Sequence, residues 1–550
     1  MNCKRNLLTA VCLLACWAAP AAAQYVDTQL SCLTCHQTSL QPNLFCELVP
    51  AAVWAKSDKH NRAFYLLHET DPANPAKGAE KRALVERILG FDLHEAFDGA
   101  GYQRLKAGGD AESQRKVTLV KSCLRCHATW PTASDERYAH SPPAPLNLGV
   151  SCQGCHGPGE RWDLQHRSPA WRLVTPAGKA ALGFADVRTT TAKASLCASC
   201  HVGNLEEGKF IKHEWYSAGH PPLPNFELAT FEAAMPVHWK PLSQKPKFEF
   251  RDDRQGDDGT LAERLAALAR AGVPPEAIKV SYREANFPAA AAKGLDPTRD
   301  LPRTRNAIVA GAVTLETYIQ LIAEYSRHSA AGDAGFAWPE LALYDCAACH
   351  HRLRNQLGTR NRAAPRFVPG RPPLARWPEL TAHLAAQQVA GYGPDDLRWK
   401  PVQESYLNLE AAATSVPFGD AAAMHRAAAI VAEQLKQLAA DAANTTFDAK
   451  AASQAALALT DETRLELADY ATARQTAWLL RQFAADLGRP DSGRLFLRDS
   501  ADPLCLALPS GQEASVIDNL HRWLPAAADY DADQFRAELK ALRPRLTTVP

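Results

Sequence analysis

Residues 152–156 read Cys152-Gln153-Gly154-Cys155-His156, and this Cys-x-x-Cys-His pattern decides how the chain is interpreted. The 550-residue sequence contains the pattern five times. In chain order, motifs 1 to 5 are Cys32-Leu33-Thr34-Cys35-His36, Cys123-Leu124-Arg125-Cys126-His127, Cys152-Gln153-Gly154-Cys155-His156, Cys197-Ala198-Ser199-Cys200-His201 and Cys346-Ala347-Ala348-Cys349-His350. Five copies, each with a histidine directly after the second cysteine, indicate one chemistry used repeatedly.

The spacing within each motif is that of covalent attachment of c-type haem. Two thiols bond to the two vinyl positions of one haem, and the histidine that follows reaches the iron from the same side. The sequence therefore predicts five haem c groups per chain, bound covalently by the ten motif cysteines. The predicted proximal iron ligands are His36, His127, His156, His201 and His350.

Two other uses of Cys-x-x-Cys pairs compete with this interpretation. Zinc ribbons build a closed tetrahedral site from such pairs, but they do not require a histidine immediately after every second cysteine. Redox dithiols place the pair beside a βαβ pattern, which the sequence lacks. The regular histidine favours haem.

The first residues indicate export. Lys4 and Arg5 precede the apolar run 7–17, and three alanines before Gln24 offer a cleavage site, so residues 1–23 are predicted to be a signal peptide. A lipid anchor at Cys16 is the alternative, because residues 13–16 resemble a lipobox. Both routes predict a periplasmic or other extracytoplasmic location.

Two cysteines lie outside the motifs and the leader. Cys46 and Cys505 could pair in an oxidising compartment, or could remain two separate thiols. The net charge of +1 argues against nucleic acid binding by bulk electrostatics. Beyond the leader we expect no transmembrane helix, because no stretch approaches 18 apolar residues.

The predicted fold class is mainly α with much irregular structure, in which haems form the core and a C-terminal helical bundle follows. The predicted segments are the leader 1–23, a tetrahaem domain 24–240, an extension 241–364 with motif 5, a Pro- and Arg-rich linker 365–378 and an Ala-rich helical domain 379–550.

Apolar periodicity predicts three helices in the second half of the chain. One covers about residues 314–327, and a second contains Ala428, Val431, Leu435 and Leu438. A third follows the stripe from Leu467 to Leu487, with Asp461 and Glu462 expected in its first turn and Gly488 and Pro490 ending it.

The second axial ligand of each iron is expected to be histidine. The mature chain keeps only Met235 and Met424, whereas 13 of the 18 histidines lie outside the motifs. Bis-His ligation and low reduction potentials follow. The candidate distal ligands are His60, His140, His166, His213, His220, His238 and His351. His383, His425 and His521 are interpreted as ordinary histidines, and His328 as a weak candidate.

Residues around the motifs resemble the cytochrome c-554 family of multihaem cytochromes over about residues 25–355. The resemblance rests on residues 54–60, 149–159, 213–221, 226–228 and 344–351. It implies closely packed c haems, mostly bis-His, with one five-coordinate haem in some members, and a role in passing electrons. The fifth motif and the C-terminal helical region depart from the four-haem pattern.

Three functions remain open at this point. The first is an extracytoplasmic electron carrier whose partners are other cytochromes or a membrane quinone-linked complex. The second is a redox enzyme acting on a small nitrogen or oxygen species at one open haem. The third makes the C-terminal bundle an assembly module, with the arginines of residues 352–371 pairing propionates or receiving an acidic partner; a solvated loop is the alternative.

Overall fold

A computed structural model describes most of the chain. The described residues are 32–33, 36, 50–68, 75–93, 99–129, 149–236, 238, 258–286, 300–350, 370–389, 398–461, 470–488 and 532–547.

The first half of the chain forms short helices around the motifs. They are α1 Pro50–Ser57, α2 Tyr65–His68, α3 Pro75–Leu89, α4 Gly99–Gly108, α5 Ala111–His127, α6 Cys152–His156, α7 Pro176–Ala180, α8 Thr190–His201, α9 His213–Ser217, α10 Leu228–Ala234, α11 Asp258–Arg270 and α12 Tyr282–Asn286. Single 3-10 turns, such as Lys59–Arg62 and Gln165–Arg167, connect several of them.

The second half forms longer helices. They are α13 Pro302–Ala330, α14 Trp377–Gln388, α15 Trp399–Thr414, α16 Ala421–Ala443, α17 Ala449–Ala458, α18 Tyr470–Asp486 and α19 Ala532–Thr547. Within the described ranges the protein has no strand, and its β pairing is confined to three isolated bridges. The prediction of a mainly α protein is confirmed.

Helix α13 is the centre of the largest core. It begins with Pro302 at its first position, where proline costs no hydrogen bond, and its apolar residues occupy every side of the helix. It packs most extensively against α16, and also against α14, α8, α18 and α10. Motif 4, at the end of α8, is thereby fixed to the longest of the described helices.

Helix α13 is also long and apolar enough to cross a membrane by length and composition. The sequence-based expectation did not foresee a stretch that passes this test. However, 83% of its apolar window is buried inside the protein, as in a core helix.

Two smaller cores lie near the motifs. One joins α3, α4 and α5 with residues around α2. The other joins the segment after motif 3 to α11, through Trp162, Trp171 and Leu182 on one side and Leu268 and Val273 on the other. These cores hold the loops between the motifs in place.

The sequence predicted the positions of two helices correctly, but it made one of them too short. The predicted helix 314–327 is the C-terminal half of α13, and α16 buries all four residues predicted for its apolar stripe. Asp461 lies just after α17, where its N–H bonds to the Ala458 carbonyl, and its predicted place in the first turn of the next helix stays a prediction. Leu467, Glu462 and Pro490 lie outside the described residues.

Candidate haem-binding sites

Motifs 2 and 4 form the last turns of helices α5 and α8. In a helix, positions separated by three and four residues share one face. Cys197, Cys200 and His201 therefore lie on the same side at the end of α8, as the motif chemistry requires. Motif 2 has the same arrangement at the end of α5.

Motif 3 forms the one-turn helix α6, which ends abruptly at Gly157. This glycine has φ 79°, and a Cβ atom there would collide with the Gly183 carbonyl. Gln153 is 2% exposed, and its side-chain carbonyl accepts the N–H of Gly159 at 2.9 Å. The glycines after motif 3 therefore let the chain turn closely beneath it.

Three proximal histidines each face one candidate distal histidine at the same separation. The ring centroids of His36 and His166 are 6.3 Å apart, and their planes are inclined by 15°. His201 and His60 are also 6.3 Å apart, with planes inclined by 86°. His350 and His213 are again 6.3 Å apart, with planes inclined by 30°.

A separation near 6.3 Å fits two imidazoles that bind one metal ion from opposite sides. Each metal–nitrogen bond is about 2 Å, and each nitrogen lies about 1.1 Å from its ring centroid. Direct stacking of aromatic rings would instead permit closer approach. Within the described part of the chain, no three His, Cys, Asp or Glu side chains converge on one metal position. The histidines converge in pairs.

The remaining two proximal histidines lie near two other candidates. Burial lowers the pKa of His156 to about 4, and the nearby His238 lowers it further than any other charge does. Burial also lowers the pKa of His220 to about 4, with a contribution from His127. Each of the five proximal histidines thus has a candidate distal histidine in its surroundings.

Hydrogen bonds at Nδ1 orient several of these imidazoles. The His127 Nδ1 lies 3.0 Å from the Ala63 carbonyl oxygen, and the His220 Nδ1 lies 2.8 Å from that of Pro221. The His166 Nδ1 contacts the Asp163 carbonyl. A metal-bound imidazole commonly donates its second N–H in this way, which leaves Nε2 for the metal.

His60 differs, because its Nδ1 pairs with a carboxylate. The Asp58 Oδ1 lies 2.9 Å from the His60 Nδ1 and also accepts the His60 backbone N–H at 2.9 Å. Asp58 is 4% exposed. Burial raises the pKa of Asp58, but the bonds from His60 outweigh it and leave that pKa below its usual value. Asp58 is not among the residues predicted from the sequence, although an acid two residues before a candidate ligand is a usable signal.

Thiols of different motifs lie close together. Cys32 of motif 1 hydrogen-bonds to Cys152 of motif 3, and Cys126 of motif 2 hydrogen-bonds to Cys200 of motif 4. Motifs 3 and 4 are neighbours as well, because Cys200 acts electrostatically on Cys155.

Tyr216 lies near thiols of both motif 5 and motif 2. The Tyr216 hydroxyl interacts electrostatically with Cys346 of motif 5 and Cys126 of motif 2. Its ring lies 6.0 Å from that of His220. The described motifs therefore follow one another in space in the order 1, 3, 4, 2 and 5.

Four of the nine described motif thiols occupy strongly apolar surroundings, whereas the pKa of Cys152 and Cys200 is lowered by a hydrogen bond from the thiol of another motif. Burial raises the pKa to about 12 for Cys123, Cys155, Cys197 and Cys346. Such thiols stay protonated at neutral pH, and the surfaces around them suit an apolar porphyrin better than a thiolate-bound metal ion. The residues present therefore fit haem c.

Some predicted residues lie outside the described ranges. They are the candidate ligands His140 and His351, and the cysteines Cys16, Cys35, Cys46 and Cys505. Three further histidines have other contacts. His328 pairs with Asp333, His383 packs on Trp399, and the His425 Nδ1 bonds to the Ala323 carbonyl.

Repeated Cys-x-x-Cys-His motifs, two of them at helix ends, with a second histidine near each described motif histidine, are typical of c-type cytochromes. Residues 96–157 match the family model described as cytochrome c554 and c-prime. This match contains motifs 2 and 3 and confirms the resemblance to the cytochrome c-554 family. Searches of curated proteins and of solved structures found no significant match.

Proposed function

We propose that the chain is an extracytoplasmic multihaem cytochrome that transfers electrons through five covalently bound, mostly bis-His haems. The observation that carries this proposal is the recurring 6.3 Å separation between a motif histidine and a second histidine. Haem c, when bound, supplies one-electron redox chemistry. The chain attaches each group, fixes two imidazoles on it and excludes water.

We assign one distal histidine to each motif. Ring geometry supports the pairs His36 with His166, His201 with His60, and His350 with His213. Electrostatic proximity alone supports His127 with His220 and His156 with His238. Two imidazoles at every iron favour electron transfer over catalysis, because substrate chemistry needs an exchangeable position. They also favour low reduction potentials.

The spatial order of the motifs supports a linear conductor. Each motif has a neighbour at close range, and motifs 1 and 5 lie at the two ends of the series. Cys349 and His350 of motif 5 are exposed at their end. We therefore propose that a redox partner, either another cytochrome or a membrane quinone-linked complex, exchanges electrons near motif 5.

Export belongs to the same proposal. Haem c is attached after the chain leaves the cytoplasm, and members of the cytochrome c-554 family are typically exported. Cleavage after residue 23 would give a periplasmic protein, and modification at Cys16 would give an anchored one. The mass of the mature chain distinguishes these outcomes.

The decisive experiment combines haem quantification with electron paramagnetic resonance (EPR) of the oxidised protein. We expect five covalent haems per chain, all low-spin. His166→Ala should convert one haem to high spin, whereas His383→Ala, outside every pair, should leave all five low-spin. Fewer than five covalent haems would contradict the haem count. A whole high-spin haem in the unmodified protein would make the enzyme the better assignment.

A further inference from the structure

Helix α18 carries a buried cation close to motif 4. Arg474 is 4% exposed, and its guanidinium lies between the rings of Tyr470, 5.4 Å away, and Trp478, 5.0 Å away. Its Nη2 donates to the Asn225 side-chain carbonyl at 2.7 Å. These neighbours position the guanidinium but supply no formal charge.

Among the described residues, no formal negative charge balances Arg474. No acidic side chain of the described residues pairs with it, and burial lowers the pKa of Arg474 to about 10. Its Nε is buried and has no hydrogen-bond partner in the part of the chain that the structure describes. Burying an ion without a counter-ion costs free energy, so we expect an anion to bind beside Arg474.

A second donor lies one helical turn away. The indole nitrogen of Trp478 is also buried, and no described residue accepts a hydrogen bond from it. Residues four apart share a helix face, so Arg474 and Trp478 present two vacant N–H groups side by side. A guanidinium with an adjacent N–H donor suits a carboxylate group.

The same face of α18 reaches the surroundings of motif 4. The ring of Trp478 lies 6.1 Å from that of Phe231, which contacts the His201 ring at 4.9 Å. Asn225, which holds the guanidinium, directly precedes Phe226, whose ring lies 5.7 Å from His201. Trp478 is thus linked to His201, the proximal histidine of motif 4, through Phe231. Arg474 is linked to the same histidine through the segment Asn225-Phe226.

We propose that Arg474 and Trp478 bind a propionate carboxylate of the haem that motif 4 holds. This inference rests on the proposed function, because it requires a haem at motif 4. It assigns to the C-terminal helices a direct role in haem binding: α18 would balance the charge of a group attached through α8.

The test is the reduction potential of one haem in the intact holoprotein. The perpendicular imidazoles of His60 and His201 should give this haem a highly anisotropic low-spin EPR signal, which can be followed during a redox titration. Arg474→Gln removes a cation, which favours the ferric state. We expect its reduction equilibrium to shift by about tenfold toward ferric, which is about 59 mV downward.

Two further variants control for structural effects. Arg474→Lys keeps the charge and should restore most of the potential. Arg305→Gln removes a cation that is already paired with Asp300, and should leave this signal unchanged.

An unchanged potential in folded, five-haem Arg474→Gln protein would overturn the proposal, and so would a shift confined to another haem. If Arg474→Gln does not fold, Trp478→Phe replaces it as the test. Loss of the indole donor should also lower the potential, and no change would count against the site. The haem count and spin states test the proposed function separately.

Discussion

At the scale of single residues, Asp58 acts on motif 4 through His60, whose Nδ1 it pairs with. A carboxylate bonded to Nδ1 makes a metal-bound imidazole a more basic ligand, which favours ferric iron. Asp58→Asn keeps the cap on the Lys59–Arg62 turn but removes the charge. We expect the reduction equilibrium of the motif 4 haem to shift about tenfold toward ferrous, measured by EPR-monitored titration.

Asp110→Asn is a matched control for this change. Asp110 also caps a helix, accepting the Ser113 N–H at 2.9 Å, but it is exposed on α5. Its replacement should leave the motif 4 signal in place. Equal shifts in both variants would mean that Asp58 acts only through net charge, and the orienting role would be wrong.

Gly149 packs closely against the backbone of the turn that carries His60. It has φ 57°, and a Cβ atom there would overlap the carbonyl groups of His60 and Asn61. Gly149→Ala must therefore displace the turn that carries His60. We expect a high-spin fraction at one haem and a lower thermal unfolding midpoint, measured by EPR and by circular dichroism.

Gly90→Ala separates the two causes of that effect. Gly90 has φ 77°, but nothing lies within 4 Å of its added Cβ, so only backbone strain of about 1–2 kcal/mol applies. Gly149→Ala should cost about 1–3 kcal/mol more because of the overlap. A high-spin fraction in Gly90→Ala as well would contradict a local effect on His60.

The sequence could identify attachment residues but not the pairing between histidines. His127 and His201 follow from motif spacing alone, because all the ligands of a motif are local. The proximity of His60 to His201 depends on how α8 and the loop after α1 pack, and no periodicity encodes that. The burial of Arg474 could not be predicted either, because an arginine beside an apolar stripe is ordinarily exposed.

At the scale of elements, a small polar junction holds motif 3 against the end of motif 2. The Thr129 hydroxyl oxygen accepts the Ser151 backbone N–H at 2.7 Å, and the hydroxyl donates to the Ser151 Oγ at 2.9 Å. Thr129→Val leaves a buried N–H without its partner. We expect a loss of about 1–3 kcal/mol in unfolding free energy, measured by denaturant titration of the holoprotein.

Thr118→Val provides the comparison within α5. The Thr118 hydroxyl bonds only to the Gln114 carbonyl one turn earlier on an exposed face, so its loss should cost at most about 0.5 kcal/mol. If the two valine variants were equally stable, the junction would not be holding motif 3.

Apolar periodicity predicts a helix well when only one of its faces is buried. It predicts a helix poorly when nearly every face is buried. In α16 the buried positions recur every three or four residues, so the stripe was readable. Helices α13 and α18 are buried on nearly every side, including polar residues such as Thr314 and Gln475. The extent of such helices therefore depends on tertiary packing more than on periodicity.

At the scale of the whole molecule, the imidazole orientations predict a composite EPR spectrum. Nearly parallel planes, 15° apart at motif 1 and 30° at motif 5, separate the iron d orbitals and give rhombic low-spin signals. The perpendicular planes at motif 4 leave two orbitals nearly degenerate and give a highly anisotropic signal. A spectrum with only rhombic signals from all haems would contradict the pairing of His60 with His201.

The packing of α13 makes a further prediction about the predicted domains. The sequence separates residues 241–364 from residues 379–550, yet α13 buries its apolar surface against α14, α16 and α18. Leu374, within the predicted linker, is 3% exposed in the same core. A protease site inserted after Arg362 should therefore yield two fragments that stay together, because separation would expose a helix that is 83% buried over its apolar window.

Size-exclusion chromatography of the cleaved holoprotein is the measurement. We expect both fragments in one peak at the elution volume of the uncut chain, with the EPR spectrum retained, and their separation only in denaturant. The protein without the inserted site, carried through the same treatment, controls for the protease. Fragments that separate under native conditions would mean that the C-terminal helices form an independent domain, and the propionate site at Arg474 would lose its structural basis.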